Sequence, residues 1–160
     1  RKKVEYPAAY DGSVAVSEYG GHDRIQVFSL DGVLRRAFGG QGPEPGAFQR
    51  PQNLALSPDG TLYVADAANQ RIQAFTLDGR FLRCLPEGGL SYPYDVAVER
   101  TGNLLVLEYG GQRISRWSPE GVPKGAWGGL AAPWAFCLLD DGTLLVTNSD
   151  RHRIERWKLP

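Results

Sequence analysis

Four times along the chain a carboxylate or amide stands five or six residues before an arginine: Glu18 and Arg24, Asp66 and Arg71, Glu108 and Arg113, Asn148 and Arg153. A carboxylate beside a guanidinium can act as an acid, a base or an anion clamp, but a reaction needs such a pair once. Recurrence predicts structural ion pairs that fix hairpins, since charges withdrawn from water are kept where they are paired. The other reactive groups are few. His22 and His152 are the only histidines, too few for the three protein ligands of a catalytic zinc site. Cys84 and Cys137 lie in apolar segments without the spacing of a metal site, and are expected to be buried and inert. No serine sits in a Gly-x-Ser-x-Gly elbow, and Gly39-Gly40-Gln41-Gly42 has no helix after it to make a phosphate loop. Asn53 and Asp95, at matching places in the chain, offer two oxygen ligands towards a cation that takes six to eight. No catalytic set, metal set or cofactor motif is therefore expected.

The elements that carry these residues are legible from repetition. One half-signature is Gly-x-(Leu/Val)-x-Val-x-(acid or amide), beginning at Gly12, Gly60, Gly102 and Gly142. The other is Arg-Ile-x-x-aromatic, at Arg24 to Phe28, Arg71 to Phe75, Arg113 to Trp117 and Arg153 to Trp157, with steps of 47, 42 and 40 residues between the arginines. Alternating apolar residues joined by Asp-Gly or Glu-Gly turns, as at Asp31-Gly32, Asp78-Gly79 and Glu120-Gly121, predict antiparallel hairpins. Each unit resolves into four short strands, and no stretch has capped helical periodicity. The expected fold is all-β: a propeller of about four four-stranded blades in one domain, with units near 3–49, 50–91, 92–131 and 132–160.

Ahead of the first half stands Pro-x-x-hydrophobic-Ala, as in Pro51-Gln52-Asn53-Leu54-Ala55 and Pro93-Tyr94-Asp95-Val96-Ala97. With Gly-x-Leu-x-Val-x-Asp and Asn/Gln-Arg-Ile-x-x-Phe, the pattern resembles the NHL repeat over essentially the whole chain. The fourth unit departs from it, with Asn148 in the place of the acid. The ungapped register makes Val4 to Ala8 the first strand of unit one and ends unit four before its last strand, an open arc. The competing register has Lys2 to Tyr6 closing the last blade. NHL propellers resemble six-bladed rings, so an arc implies a part of a larger propeller or open ends that associate with another chain.

The resemblance also implies where ligands sit: on the face made by the entry into each first strand and by the loop from second to third strand. Those places hold Tyr19, His22, Arg50, Gln52 and Tyr92 in the first half of the chain, then Tyr94, Tyr109, Trp134 and His152. Aromatics with arginine are the composition of recognition surfaces. The expectation is a non-enzymatic scaffold that binds a protein, peptide or glycan through this loop face. One alternative is a propeller hydrolase or lyase using a channel cation, and another is an RNA reader. The 18 basic residues balance 18 acidic ones, so nothing pulls the molecule as a whole towards nucleic acid. No apolar run approaches the roughly 18 residues of a membrane span. The compartment stays open.

Overall fold

The structure is a computed structural model that describes residues 3–10, 12–86 and 88–160, with residues 3–10 described by their backbone alone. Among the described residues fifteen strands form four antiparallel sheets, each meandering in chain order. The first blade is β1 (Lys3–Tyr10), β2 (Ser13–Tyr19), β3 (Arg24–Ser29) and β4 (Leu34–Gly39). The second is β5 (Pro51–Leu56), β6 (Thr61–Asp66), β7 (Arg71–Thr76) and β8 (Phe81–Leu85). The third is β9 (Pro93–Val98), β10 (Leu104–Glu108), β11 (Arg113–Trp117) and β12 (Pro123–Gly128). The fourth has three strands, β13 (Phe136–Leu138), β14 (Thr143–Asn148) and β15 (Arg153–Lys158), with one 3-10 turn, Ser149–Arg151, before the last.

β1 pairs with β2, Ala8 opposite Ala15 and Val4 opposite Glu18, so the N-terminal strand belongs to the first blade. The molecule is the open arc that the ungapped register predicts. First strands of successive blades lie side by side on the inside, and β4 and β12 are exposed at the rim.

Strand geometry explains the packing. Successive side chains in β6 point to opposite faces, so Leu62 and Val64 join Ala15, Ile25 and Phe75 between the first and second blades. Tyr63 and Ala65 join Val96, Leu104 and Val106 between the second and third. Leu105 and Leu107 meet Leu144 and Val146 between the third and fourth. A middle blade is covered on both sides, which is why Leu104 to Leu107 is unbroken apolar sequence and wholly buried. The expectation of two buried cysteines is corrected: Cys84 is half-buried and Cys137, on the last blade, is exposed. Among the described residues nothing packs over the outer side of that blade, where Ile154 is 70% exposed.

Candidate ligand-binding face

The repeated polar residues hold a loop in place. Arg24, Arg71 and Arg113 each donate Nε–H to the acid of the preceding strand, Glu18, Asp66 and Glu108, at 2.8 Å. The acids also reach backward. Asp66 accepts the backbone N–H of Gln49 at 2.7 Å, and Glu108 accepts that of Ser91 at 2.8 Å. Arg71 and Arg113 complete the hold by donating to loop carbonyls at Ala47 and Gly89.

The fourth blade reaches the same end with its groups exchanged. Asn148 takes the Ala131 N–H at 2.9 Å, and the acid has moved to Glu155 on the next strand, where it accepts from Asn148, Arg153 and Trp157. Hydrogen bonds from Trp157 and Arg153 hold the Glu155 carboxyl down at about 2. Asn148 thus keeps the motif's function; sequence reading missed its partner because the acid lies across the hairpin.

Each anchored N–H belongs to the residue just before a displayed one. Arg50, Tyr92 and Ala132 precede the first-strand prolines and have positive φ, 55°, 53° and 47°. Such φ values are uncommon outside glycine. Here the blade imposes them whatever the side chain, Arg, Tyr or Ala, leaving that side chain to vary from blade to blade.

Six of the nine expected residues converge on one face. The Arg50 guanidinium carbon lies 5.6 Å from the Tyr19 ring centre and 5.9 Å from that of Tyr92. Tyr92 meets Tyr94 at 5.5 Å, and Tyr94 stacks on Tyr109 at 4.7 Å. Trp134 closes the group, 5.2 Å from Tyr94 and edge-on to Tyr109 at 5.7 Å. Tyr94 is 8% exposed and forms the floor, whereas Trp134 is 52% exposed and forms a wall. Burial pushes the Tyr94 hydroxyl above its ordinary range, so it stays a neutral hydrogen-bonding group. Arg50, Tyr92, Tyr94 and Tyr109 line an open depression of about 540 Å³ together with Gln70, Ser91 and Gly110. Sequence reading missed those three; Gln70 had a signal, since it precedes the repeat arginine as Gln112 and His152 do.

The remaining three stand apart. His22 is exposed in the β2–β3 turn, and His152 is exposed at φ 50° after the 3-10 turn. Gln52 is buried in β5, where its backbone carbonyl accepts the Ser17 hydroxyl at 2.6 Å. Asn53 and Asp95 are bonded to each other: Asp95, 2% exposed, accepts from the Asn53 amide and from the Phe136 backbone N–H, tying three blades along their inner strands. Burial raises the Asp95 carboxyl to about 7. Among the described residues no three His, Cys, Asp or Glu side chains gather as a metal centre requires. Another depression, of about 420 Å³, lies between the hairpin turns at 98–101 and 138–142 at the opposite strand ends and contains no aromatic ring.

Comparison with known proteins places the architecture. Residues 48–75 match the NHL repeat family. The chain is 39% identical over 77 residues to Protein brain tumor of Drosophila melanogaster, covering 44% of this chain and 7% of that protein. It is 42% identical over 72 residues to peptidyl-glycine alpha-amidating monooxygenase of Mus musculus, covering 42% of this chain and again 7% of the relative. Among solved structures it superposes on a chain of a nidogen/laminin complex with a TM-score of 0.80 at 21% identity, over 92% of this chain and 56% of that one. The WD40 β-propeller domain of Doa1 gives 0.70 at 18% identity, over 92% and 47%. Virginiamycin B lyase from Staphylococcus aureus gives 0.74 at 21%, over 99% and 56%. The chain thus spans a small part of its curated relatives and about half of each solved neighbour. The family's match thus falls on the second unit, and antiparallel hairpins of the same kind recur in the other units.

Proposed function

We propose that this chain is a non-enzymatic propeller scaffold that binds a protein or peptide segment in the aromatic depression of its loop face. One observation carries the reading: side chains from all four blades, Tyr19, Arg50, the three tyrosines of the third blade and Trp134, meet in one contiguous surface although they are far apart in sequence. Their backbones are set by the repeat and their identities are not. That division of labour suits recognition: rigid aromatic anchors on an ordered scaffold bind with little loss of conformational freedom. A glycan stacked on the same rings is the neighbouring possibility for this site.

The test uses Trp134 both as reporter and as target. A peptide array screened against the chain, followed by titration of the hits, should change the emission of Trp134. Trp134→Ala should weaken binding at least tenfold while the melting temperature holds, because its ring is half exposed. Undiminished affinity in that variant would move the site elsewhere. Stronger binding of neutral oligosaccharides than of any peptide would assign the face to glycans. A lyase or hydrolase with a channel cation is the competing reading, in line with the fold shared with virginiamycin B lyase. It needs donors beyond Asn53 and Asp95, and its signature would be stoichiometric metal that survives dialysis. We further propose that the open blade ends self-associate in the isolated chain.

A further inference from the structure

Arg50 differs from the arginines of the repeat. Arg24, Arg71, Arg113 and Arg153 each hold a carboxylate. Among the described residues no acid forms an ion pair with the Arg50 guanidinium. The acid nearest in the network, Asp23, is committed to the backbone: one oxygen accepts the Gly20 N–H at 3.1 Å and the other the Arg50 N–H at 2.7 Å. That bond fixes where Arg50 stands and leaves its charge unneutralised. The guanidinium lies over the rings of Tyr19 and Tyr92 and borders the depression. Rings engage the face of a guanidinium, while its N–H groups lie in the plane and match the two oxygens of a carboxylate. Beside it, Tyr92, Tyr94, Tyr109 and Trp134 supply an apolar wall. A cation with tyrosines but no carboxylate beside it, at the rim of a depression with aromatic rings behind it, selects a ligand in which an anion and an apolar side chain are neighbours.

We infer that the depression reads carboxylate-bearing peptides: Arg50 receives an Asp or Glu side chain or a terminal carboxylate, and the rings receive an adjacent aromatic or aliphatic side chain. This rests on the peptide-binding reading above and specifies its ligand. Three features make the assignment specific to a peptide acid. The depression, about 540 Å³, has room for a residue or two but not for a folded edge. One guanidinium suits a single planar anion, whereas a polyanion would call for a row of cations. Lastly, the chain's balanced charge gives a nucleic-acid strand no further hold.

The experiment is an array of Phe-centred hexapeptides in four arms: Asp or Asn beside the Phe, each with a free or an amidated C-terminus, titrated in low and high salt. Carboxylate peptides should bind about tenfold tighter than the amidated Asn peptide, as a charge-assisted pair predicts. The Asp and free-terminus arms tell which carboxylate is read. Arg50→Gln should collapse the preference to under twofold, and Arg50→Lys should restore only part of it, because a point charge lacks the planar fork. Equal affinity in all four arms, or a preference that survives Arg50→Gln, overturns the inference. If the arms bind equally and Trp134→Ala abolishes binding, the peptide-binding function stands without its anion specificity. No binding by any peptide, or tighter binding of a single-stranded oligonucleotide, overturns both.

Discussion

Two buried carboxylates show how residues in similar strands contribute differently. Asp66, fully buried, accepts from Gln49 N–H, Asn69, Arg71 and Gln73, yet burial still raises its carboxyl above the ordinary range. Its charge is retained because four donors would be orphaned without it. Asp66→Ala should therefore cost about 3–5 kcal/mol in urea unfolding, the loss seen when one partner of a buried pair is removed. Glu155→Gln, in a blade whose arginine is largely exposed, should cost far less. Asp95 supplies a pH signature. Its carboxyl is raised to about 7 in the folded chain, so the folded state holds a proton that the unfolded state has released. Stability then rises as pH falls from about 7 towards about 4, and the gain is absent above 7. The unfolding midpoint should be higher at pH 5.5 than at pH 7.5, and Asp95→Asn should flatten that difference. An unchanged pH profile in the variant would assign it to other groups.

At the scale of elements, what the sequence made legible was what repeats. Gly-x-Leu-x-Val and Arg-Ile-x-x-aromatic mark second and third strands in every blade, and the open-arc register follows from the spacing of Pro51, Pro93 and Pro133 before their glycines. The aromatic face was legible as a set of loop positions. Which members meet was not, since that depends on how neighbouring blades rotate Tyr19, Arg50 and Trp134 towards the third blade. Gln52 turned inward and the histidines stayed outside for the same reason: loop position alone does not give direction. The Asn148 and Glu155 exchange escaped notice because a cross-strand neighbour is adjacent in space, seven residues away in sequence. The β10–β11 loop shows how closely the face is fitted. A Cβ on Gly110 would lie 2.6 Å from the Ser91 hydroxyl and 3.2 Å from its carbonyl oxygen. Gly110→Ala must push the Ser91–Tyr92 segment aside, costing about 1–3 kcal/mol by overpacking. It should also weaken ligand binding, and a stable variant with native affinity would show the loop to be slack.

For the whole molecule, four blades make three interfaces, so each end blade leaves one side uncovered by a neighbour in the described chain. The isoleucine of the Arg-Ile signature shows the consequence: Ile25, Ile72 and Ile114 are at most 1% exposed, each under the following blade, whereas Ile154 is 70% exposed. Leu145 stands beside it, 37% exposed, where the second blade buries Tyr63 and the third Leu105. The same side chain in the same strand therefore contributes fully in three blades and hardly at all in the last. Ile72→Ala should cost about 2–5 kcal/mol, the loss for a large aliphatic cut to alanine in a packed core. Ile154→Ala should shift the unfolding midpoint of a monomeric chain very little. An apolar face shaped to receive a blade also favours heterologous, head-to-tail contact, which closes into a ring or grows according to its rotation. Light scattering of the isolated chain should give a mass that rises with concentration, and Ile154→Lys should return it to the monomer without lowering the melting temperature. A chain that stays monomeric at all concentrations would mean that the open blade is solvated as it stands, and that the loop face works without a second copy.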